Sequence, residues 1–386
     1  MEVICEKNTL AQALQFTSRA INARSPLPIL SHVLLNAEHD SLKLAATDLD
    51  LGISLEFPVE VVDSGSVACP AKLLGEIISK LPNAPIRLRS HYDGRLELTC
   101  GRSRFEIGTL PAEEFPSMPK FGQGNSICVS QKLFKAAIKR IILAVATAEE
   151  SRAIMTGVLL HINQEQLLLI GTDGRRMAYQ ELITESAFEK VSIVVPGRAM
   201  QELARLMGDS PDPIELLFSE GQLFCKISDT GQQGIAYVSL HCRLLDGIYP
   251  DYNKVLPKSF TRSVRIGREA LLAALQRMLI LAQEKLSPNL VVFDIHEDLL
   301  KISAHTPDLG IGHEEVNIVL EGEPLKIAFN GRYIVDVLST LDCEEIVLNF
   351  QDDSRSAQLS ISDTLDFRYV LMPVKLRESL QEEVAS

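Results

Sequence analysis

The stretch Ser192–Gly208, SIVVPGRAMQELARLMG, begins as an apolar β-branched run and continues as a helix with Met200, Leu203 and Leu206 at helical spacing. A proline stands at the switch, where a strand can end and a helix can begin without losing a needed N–H. The same switch occurs twice more, at 66–82 (SVACPAKLLGEIISKLP) and 325–341 (LKIAFNGRYIVDVLSTL), so Pro70, Pro196 and Asn330 occupy one place in three copies of a larger unit. Each copy opens with a helical stretch, at 7–21, 130–145 and 267–282. Two strands follow, then the strand-to-helix switch, then closing strands. Helix-then-strands occurs twice per copy, which predicts an α+β protein of three repeated domains, each made of two βαβββ halves. The Gly-, Pro- and Ser-bearing stretches 121–126 and 256–263 read as linkers and set the domains at 1–125, 126–259 and 260–376, followed by a tail at 377–386.

The chain has 386 residues, 46% of them apolar and 23% charged, and no apolar run of the roughly 18–20 residues that a membrane helix needs. Seven scattered cysteines without a C-x-x-C spacing point to reduced, buried thiols in a cytoplasmic protein, with no structural zinc and no cofactor.

The sequence GTDGRRMAY (171–179) has the residue types of an active site: Thr172, Asp173, Arg175 and Arg176 after an apolar run. Yet LAATDLDLGIS (44–54) puts another Thr-Asp pair at the equivalent point of the first copy. A pair that recurs with the scaffold reads as a turn, because aspartate side chains accept hydrogen bonds from backbone N–H groups just downstream. Asp48 and Asp50 have no third acid or histidine close in sequence to complete a metal site. A phosphoryl-transfer enzyme built on Asp173 would need a P-loop, and the chain has no GxxxxGK[ST], HExxH or GxSxG.

Charge is segregated. The chain carries −13 overall, but its six helical stretches sum to +8, which leaves −21 for everything else. On helix 130–145, Lys132, Lys135 and Lys139 fall on one side; Leu133, Phe134, Ala137, Ile138, Ile141 and Val145 are expected on the packed side. Lys72, Arg198 and Arg332 each lie in a first helical turn, where the helix dipole disfavours a cation unless an anion binds there. With no tryptophan and 5% aromatics, stacking on single strands has little support. The pattern predicts sequence-independent phosphate contact; a repeat-built scaffold that never meets nucleic acid would leave the three first-turn cations unexplained.

Six stretches, in order, resemble the bacterial DNA polymerase III beta subunits, the sliding clamps: RSPLPILSHVLL (24–35), LAATDLDLGIS (44–54), GRSRFEIGTLPAEEFP (101–116), GTDGRRMA (171–178), DGIYPDYNKVLP (246–257) and YVLMPVKL (369–376). The resemblance covers essentially the whole chain. It implies a non-enzymatic processivity factor whose head-to-tail homodimer encircles double-stranded DNA, with helices lining the pore and sheets outside. Its partners would be a clamp loader, the polymerase alpha subunit and other proteins carrying a clamp-binding motif. By family match Arg24, Lys72 and Arg198 would face DNA. The charge pattern adds Lys132, Lys135, Lys139 and Arg205. The partner-peptide cleft would comprise Arg152, Met155, Thr172, Gly174, Arg175, Arg176, Met177, Pro250, Lys254, Val255, Leu286, Asn330, Tyr333, Met372, Pro373, Val374 and Lys375. The dimer contact would use Arg102 and Arg104 against Glu314 and Glu315 around Ile280 and Leu281. Three features depart from the family pattern: Glu149 is an acid near the expected DNA path, Arg175 stands where a histidine is common, and RESLQEEVAS (377–386) extends past the expected end, where it is expected to alter peptide affinity.

Overall fold

The computed structural model describes residues 1–22, 25, 27–119, 122, 126–147, 152–219, 221–228, 234–283, 288–306, 309–361 and 366–375, with the side chains of 185–188 excepted. Arg24, Glu149, Leu286 and the tail 377–386 lie outside the described residues.

Six α-helices occur among the described residues: α1 (Lys7–Thr17), α2 (Ala71–Lys80), α3 (Gln131–Ile141), α4 (Gly197–Leu206), α5 (Arg268–Leu281) and α6 (Gly331–Leu338). Each begins where the sequence switches from strand to helical period. Pro70 and Pro196 are the residues before α2 and α4, with no side-chain cap. Before α6, Asn330 accepts the backbone N–H of Arg332 at 3.0 Å, so a side-chain cap does there what proline does elsewhere. Most helices end earlier than the apolar period suggests. The backbone turns extended at Leu81 and Met207, and α3 tightens into a 3-10 turn at Ile142–Ala144. Leu133 is a correction: the helical wheel puts it on the packed side, but it is 54% exposed. The buried arc of α3 is narrower than the wheel gives: Phe134, Ala137, Ile138 and Ile141 are buried.

The chain forms two compact units. The first contains residues 1–135, 162–165 and 183–245. It holds a five-stranded antiparallel sheet that ends on strand Ser103–Gly108, and an eight-stranded sheet. Within the eight-stranded sheet, strand Tyr237–Arg243 of the second copy pairs antiparallel with Leu51–Pro58 of the first, Ser239 opposite Ser54. α1 packs on α2 and on this sheet, over a core that includes Leu44, Ile53, Leu55 and Val238.

The second unit contains residues 136–161, 166–182 and 246–386. Here Arg176–Gln180 of the second copy pair antiparallel with Phe367–Leu371 of the third, Ala178 opposite Tyr369. α5 packs on α6. Phe329 meets Phe293 edge-on at 5.7 Å and Phe350 at 6.4 Å, and each fully buried ring contributes about 1.5–3 kcal/mol.

None of the seven cysteines is in a disulfide. Burial pushes the Cys5 and Cys69 thiols up to about 12, the wrong direction for a nucleophile. No helix among the described residues is long and apolar enough to cross a membrane, and no group of three or more His, Cys, Asp or Glu among them could hold a metal ion.

Candidate partner cleft and basic helix faces

The two Thr-Asp pairs build the same turn. Thr47 Oγ1 donates to the carbonyl of Leu51 at 3.0 Å and accepts the N–H of Leu49 at 3.0 Å. Thr172 Oγ1 donates to the carbonyl of Arg176 at 2.8 Å and accepts the N–H of Gly174 at 3.1 Å. Asp48 Oδ1 accepts from Asp50 and Leu51, as Asp173 Oδ1 accepts from Arg175 and Arg176. The residue at the bend has positive φ in both, 82° at Leu49 and 85° at Gly174. Both carboxylates are committed to the backbone, so Thr172-Asp173 is a scaffold turn. A side chain at this φ costs about 1–2 kcal/mol. Gly174→Ala is therefore expected to lower stability by about 1 kcal/mol in urea titration, although its Cβ would meet nothing closer than Met155 Cε at 3.6 Å. Leu49→Gly should stay within about 0.5 kcal/mol of neutral, since released strain offsets glycine's entropy.

The neighbouring backbone repeats as well. Arg243 N–H reaches the carbonyl of Asp50, as Met372 N–H reaches that of Arg175, both at 2.9 Å. Leu245 N–H reaches Val194, as Val374 N–H reaches Ala328, both at 2.8 Å. One scaffold is thus decorated in two ways. In the first unit it carries Asp50 and Arg243, and Arg198 at the start of α4 pairs with Asp48. In the second unit the same positions carry Arg175, Met372 and, at the start of α6, Arg332, which pairs with Asp336 one turn on at 2.9 Å.

Beside the second-unit turn lies a cavity of about 450 Å³ lined by Arg175, Pro288, Leu290, Asn330, Tyr333, Met372, Pro373 and Val374. Six of these were expected. Pro288 and Leu290 were not, because their contribution depends on strand register: Leu290 lies opposite Asn330. Arg176 forms the support behind the cavity. Its guanidinium reaches Asp173 at 3.0 Å, Asp336 at 3.3 Å and the Tyr369 hydroxyl at 3.3 Å, and stacks on the Tyr333 ring at 4.1 Å.

Two expected cleft residues are corrected here. Met177 is 1% exposed and belongs to the core, since strand alternation turns it inward next to Arg176. Arg176 is 13% exposed, with Nε on Asp173 and Nη1 on Asp336 and Tyr369, so it supports the wall from behind. Thr172 is buried in its turn. Arg152, Met155, Gly174, Pro250, Lys254, Val255 and Lys375 belong to the same compact unit but do not line this cavity. Lys254 pairs with Asp251 at 3.6 Å.

The expected DNA-facing cations divide into two groups. Lys132 and Lys139 are exposed on α3, and Lys72 is exposed on α2 with Glu76 at 4.0 Å. Lys135 is corrected: it is 17% exposed and its ammonium donates to the Met207 carbonyl at 3.0 Å and to Asp209 at 2.9 Å, closing the end of α4. Arg205 pairs with Glu202 at 2.6 Å. The observed helices still sum to +8.

The dimer candidates need a similar revision. Arg102 is exposed, but Arg104 is bound to Glu97 at 2.9 Å and Glu106 at 3.3 Å. Glu314 takes Arg277 in two hydrogen bonds at 2.6 and 2.8 Å, and Glu315 has Lys301 at 3.6 Å. The Arg277 hydrogen bond holds the Glu314 carboxyl below its ordinary range. Ile280 is 66% exposed, whereas Leu281 is half-buried, with Cδ1 2.7 Å from where a Cβ on Gly312 would sit. Sequence reading missed the strand edges. Among the described residues, Ser103–Gly108 pairs on one side only, and Gly310–Asn317 pairs with Leu299–Thr306 but with no second strand.

Threefold repetition, basic helices packed on sheets and an apolar cavity beside a structural turn define a clamp-type scaffold. Family models for the DNA polymerase III beta subunit match in series: the N-terminal domain over residues 1–119, the central domain over 128–251 and the C-terminal domain over 253–375. A beta sliding clamp of Synechococcus elongatus is 32% identical over 98% of this chain and 100% of that protein; one from Synechocystis is 30% identical over 97% and 100%. Among solved structures, the DNA polymerase sliding clamp of Bacillus subtilis gives a TM-score of 0.92 at 26% identity, over 98% of this chain and 100% of the other. A Pseudomonas aeruginosa sliding clamp bound to griselimycin gives 0.90 at 30%, over 97% and 100%. The chain belongs to the DNA polymerase III beta subunit family, the beta sliding clamps. It has the three-domain clamp fold and is a non-catalytic subunit of the DNA polymerase III holoenzyme in DNA replication.

Proposed function

We propose that two copies of this chain, each with domains 1–125, 126–259 and 260–376, close head to tail into a ring around duplex DNA, without reading sequence. The cleft at Arg175, Tyr333 and Met372 then tethers the polymerase alpha subunit and other proteins bearing a clamp-binding motif, after a clamp loader opens the ring. The observation that carries this reading is the charge separation: +8 on the helices in a chain of −13. Basic helices attract phosphates and an acidic remainder repels them, so weak contacts suffice once topology holds the DNA. The cavity supports the tethering role. Methionine, proline, valine and leucine give an adaptable apolar wall, and Arg175 can hold an acidic or carbonyl group of the peptide. The two open strand edges, near exposed Phe105, Ile311 and Ile280, would satisfy each other in a heterologous contact that closes a ring. A cytoplasmic, nucleoid-associated location goes with this role.

The deciding experiment is topological. Protein loaded on nicked circular DNA should be released when the circle is linearised; retention on the linear product would leave only ordinary electrostatic binding. Lys132→Ala with Lys139→Ala is expected to weaken DNA binding uniformly across sequences and to reduce the salt slope by about 1–2. Lys135→Met should leave the slope unchanged and lower thermal stability instead. Equal slopes in both variants would remove α3 from the DNA-facing surface.

A further inference from the structure

Away from the cleft, a second cavity of about 350 Å³ opens on the eight-stranded sheet of the first unit, lined by residues of both the first and the second sequence copy. Strand register builds its floor. Lys43, Glu56 and Tyr237 form one cross-strand row; Ser54, Ser239 and Lys226 form the next; Gly52, His241 and Phe224 form the third. Because side chains alternate along a strand, all three rows share one face. Met118 and Pro119 complete the wall.

The third row carries two rings, half-buried His241 and Phe224, which is 7% exposed. A Cβ on Gly52 would lie 2.0 Å from His241 Cε1, so only glycine lets the imidazole lie across that strand. The Phe224 ring stacks on it at 6.1 Å with planes 29° apart. Burial pulls the His241 value down to about 4, so both rings are uncharged at neutral pH.

The other rows supply cations. Lys226 Nζ stands 5.5 Å over the Tyr237 ring. Lys43 lies opposite Glu56, the one acid of these rows, whose carboxylate accepts the Tyr237 hydroxyl at 3.0 Å. Among the described residues neither lysine has a carboxylate within salt-bridge distance, although the chain carries 51 acids. Two half-buried lysines beside two aromatic rings match a ligand with a flat ring at one end and an anion at the other.

We propose that this cavity binds an aromatic carboxylate, its ring on Phe224 and His241 and its anion between Lys43 and Lys226. The group could be a free aromatic acid or the C-terminal phenylalanine or tyrosine of another protein. At the lower end of the size range of ligand pockets, the site suits a group of about that size. None of its residues belongs to the partner cleft, so the proposal stands or falls separately from the tethering reading.

The test is NMR titration of the full chain with N-acetylphenylalanine, its neutral amide, inorganic phosphate and a hexapeptide ending in phenylalanine. The acid is expected to bind with a Kd on the order of 1 mM and to shift resonances of Phe224 and His241. The amide and phosphate should each bind at least tenfold more weakly. Lys43→Gln with Lys226→Gln should weaken the acid about tenfold while melting temperature and cleft-peptide affinity stay at wild-type values. The hexapeptide binding more tightly than the free acid would identify a protein C-terminus as the source; equal affinity would identify the free acid. Absence of shifts at about 10 mM acid, equal binding of acid and amide, equal binding of acid and phosphate, or an unchanged double-lysine variant would each overturn the proposal.

Discussion

Arg176→Ala is expected to destabilise the chain by about 3–5 kcal/mol, whereas Arg175→Ala, one residue earlier, should change stability by less than about 0.5 kcal/mol. Arg175 is exposed at the cavity wall. Arg176 is 13% exposed and bridges two carboxylates from different elements, Asp173 in the turn and Asp336 in α6. Burial alone would lower its value, but Tyr369 and Asp173 outweigh that and hold it above the ordinary one. Truncation leaves Asp173 without its cation and Asp336 with Arg332 alone, and it removes the cation from the Tyr333 ring at 4.1 Å. Since Tyr333 is a cavity wall, the loss should reach peptide binding too. Urea denaturation and peptide titration on the same variants separate the effects. Arg175→Ala should weaken a clamp-binding peptide with normal stability, and Arg176→Ala should lose both. Stabilities within about 1 kcal/mol of each other would show that Arg176 is not the support described here.

The contrast between these two arginines shows where sequence reading ends. The repeat was legible because it rests on local signals: strand-to-helix switches at Pro70, Pro196 and Asn330, and Thr-Asp pairs that close the same turn. The basic character of the helices was legible because charge is read directly from composition. What each charge does was not. Lys135 sits on the same helical stripe as Lys132 and Lys139, yet it is drawn to the end of α4 by Met207 and Asp209, a partner some 70 residues away in sequence. Met177 follows two cleft-type arginines in a motif, but strand alternation turns it into the core. Leu133 fails for the opposite reason: the wheel gives an angle, and only packing decides how wide the covered arc is. Pro288, Leu290 and the open edges of Ser103–Gly108 and Gly310–Asn317 depend on strand register and order, which no local pattern encodes.

Ile280→Asp is expected to prevent the proposed head-to-tail dimer at micromolar concentration and to abolish retention on circular DNA, with the fold intact. The neighbouring Leu281→Asp should instead damage the fold. Leu281 lies half-buried against Gly312, where only the missing Cβ leaves room for it, and its carbonyl takes the Thr306 hydroxyl at 2.5 Å. Ile280 points away, 66% exposed, near the open edge of Gly310–Asn317. Three of the four charged residues first expected to hold the contact are already engaged within their own chain: Arg104 with Glu97 and Glu106, Glu314 with Arg277, Glu315 with Lys301. Exposed pairs of this kind contribute about 0–1 kcal/mol each, so in the proposed ring apolar burial and edge pairing supply most of the association. A carboxylate forced into that contact without a partner costs at least about 3 kcal/mol, which raises the dimer Kd more than a hundredfold. Sedimentation measures the mass, circular dichroism the fold, and the linearisation assay the ring. A dimer of unchanged mass in Ile280→Asp would move the interface off the α5 face. A monomer that still stays on circular DNA would separate DNA retention from ring closure.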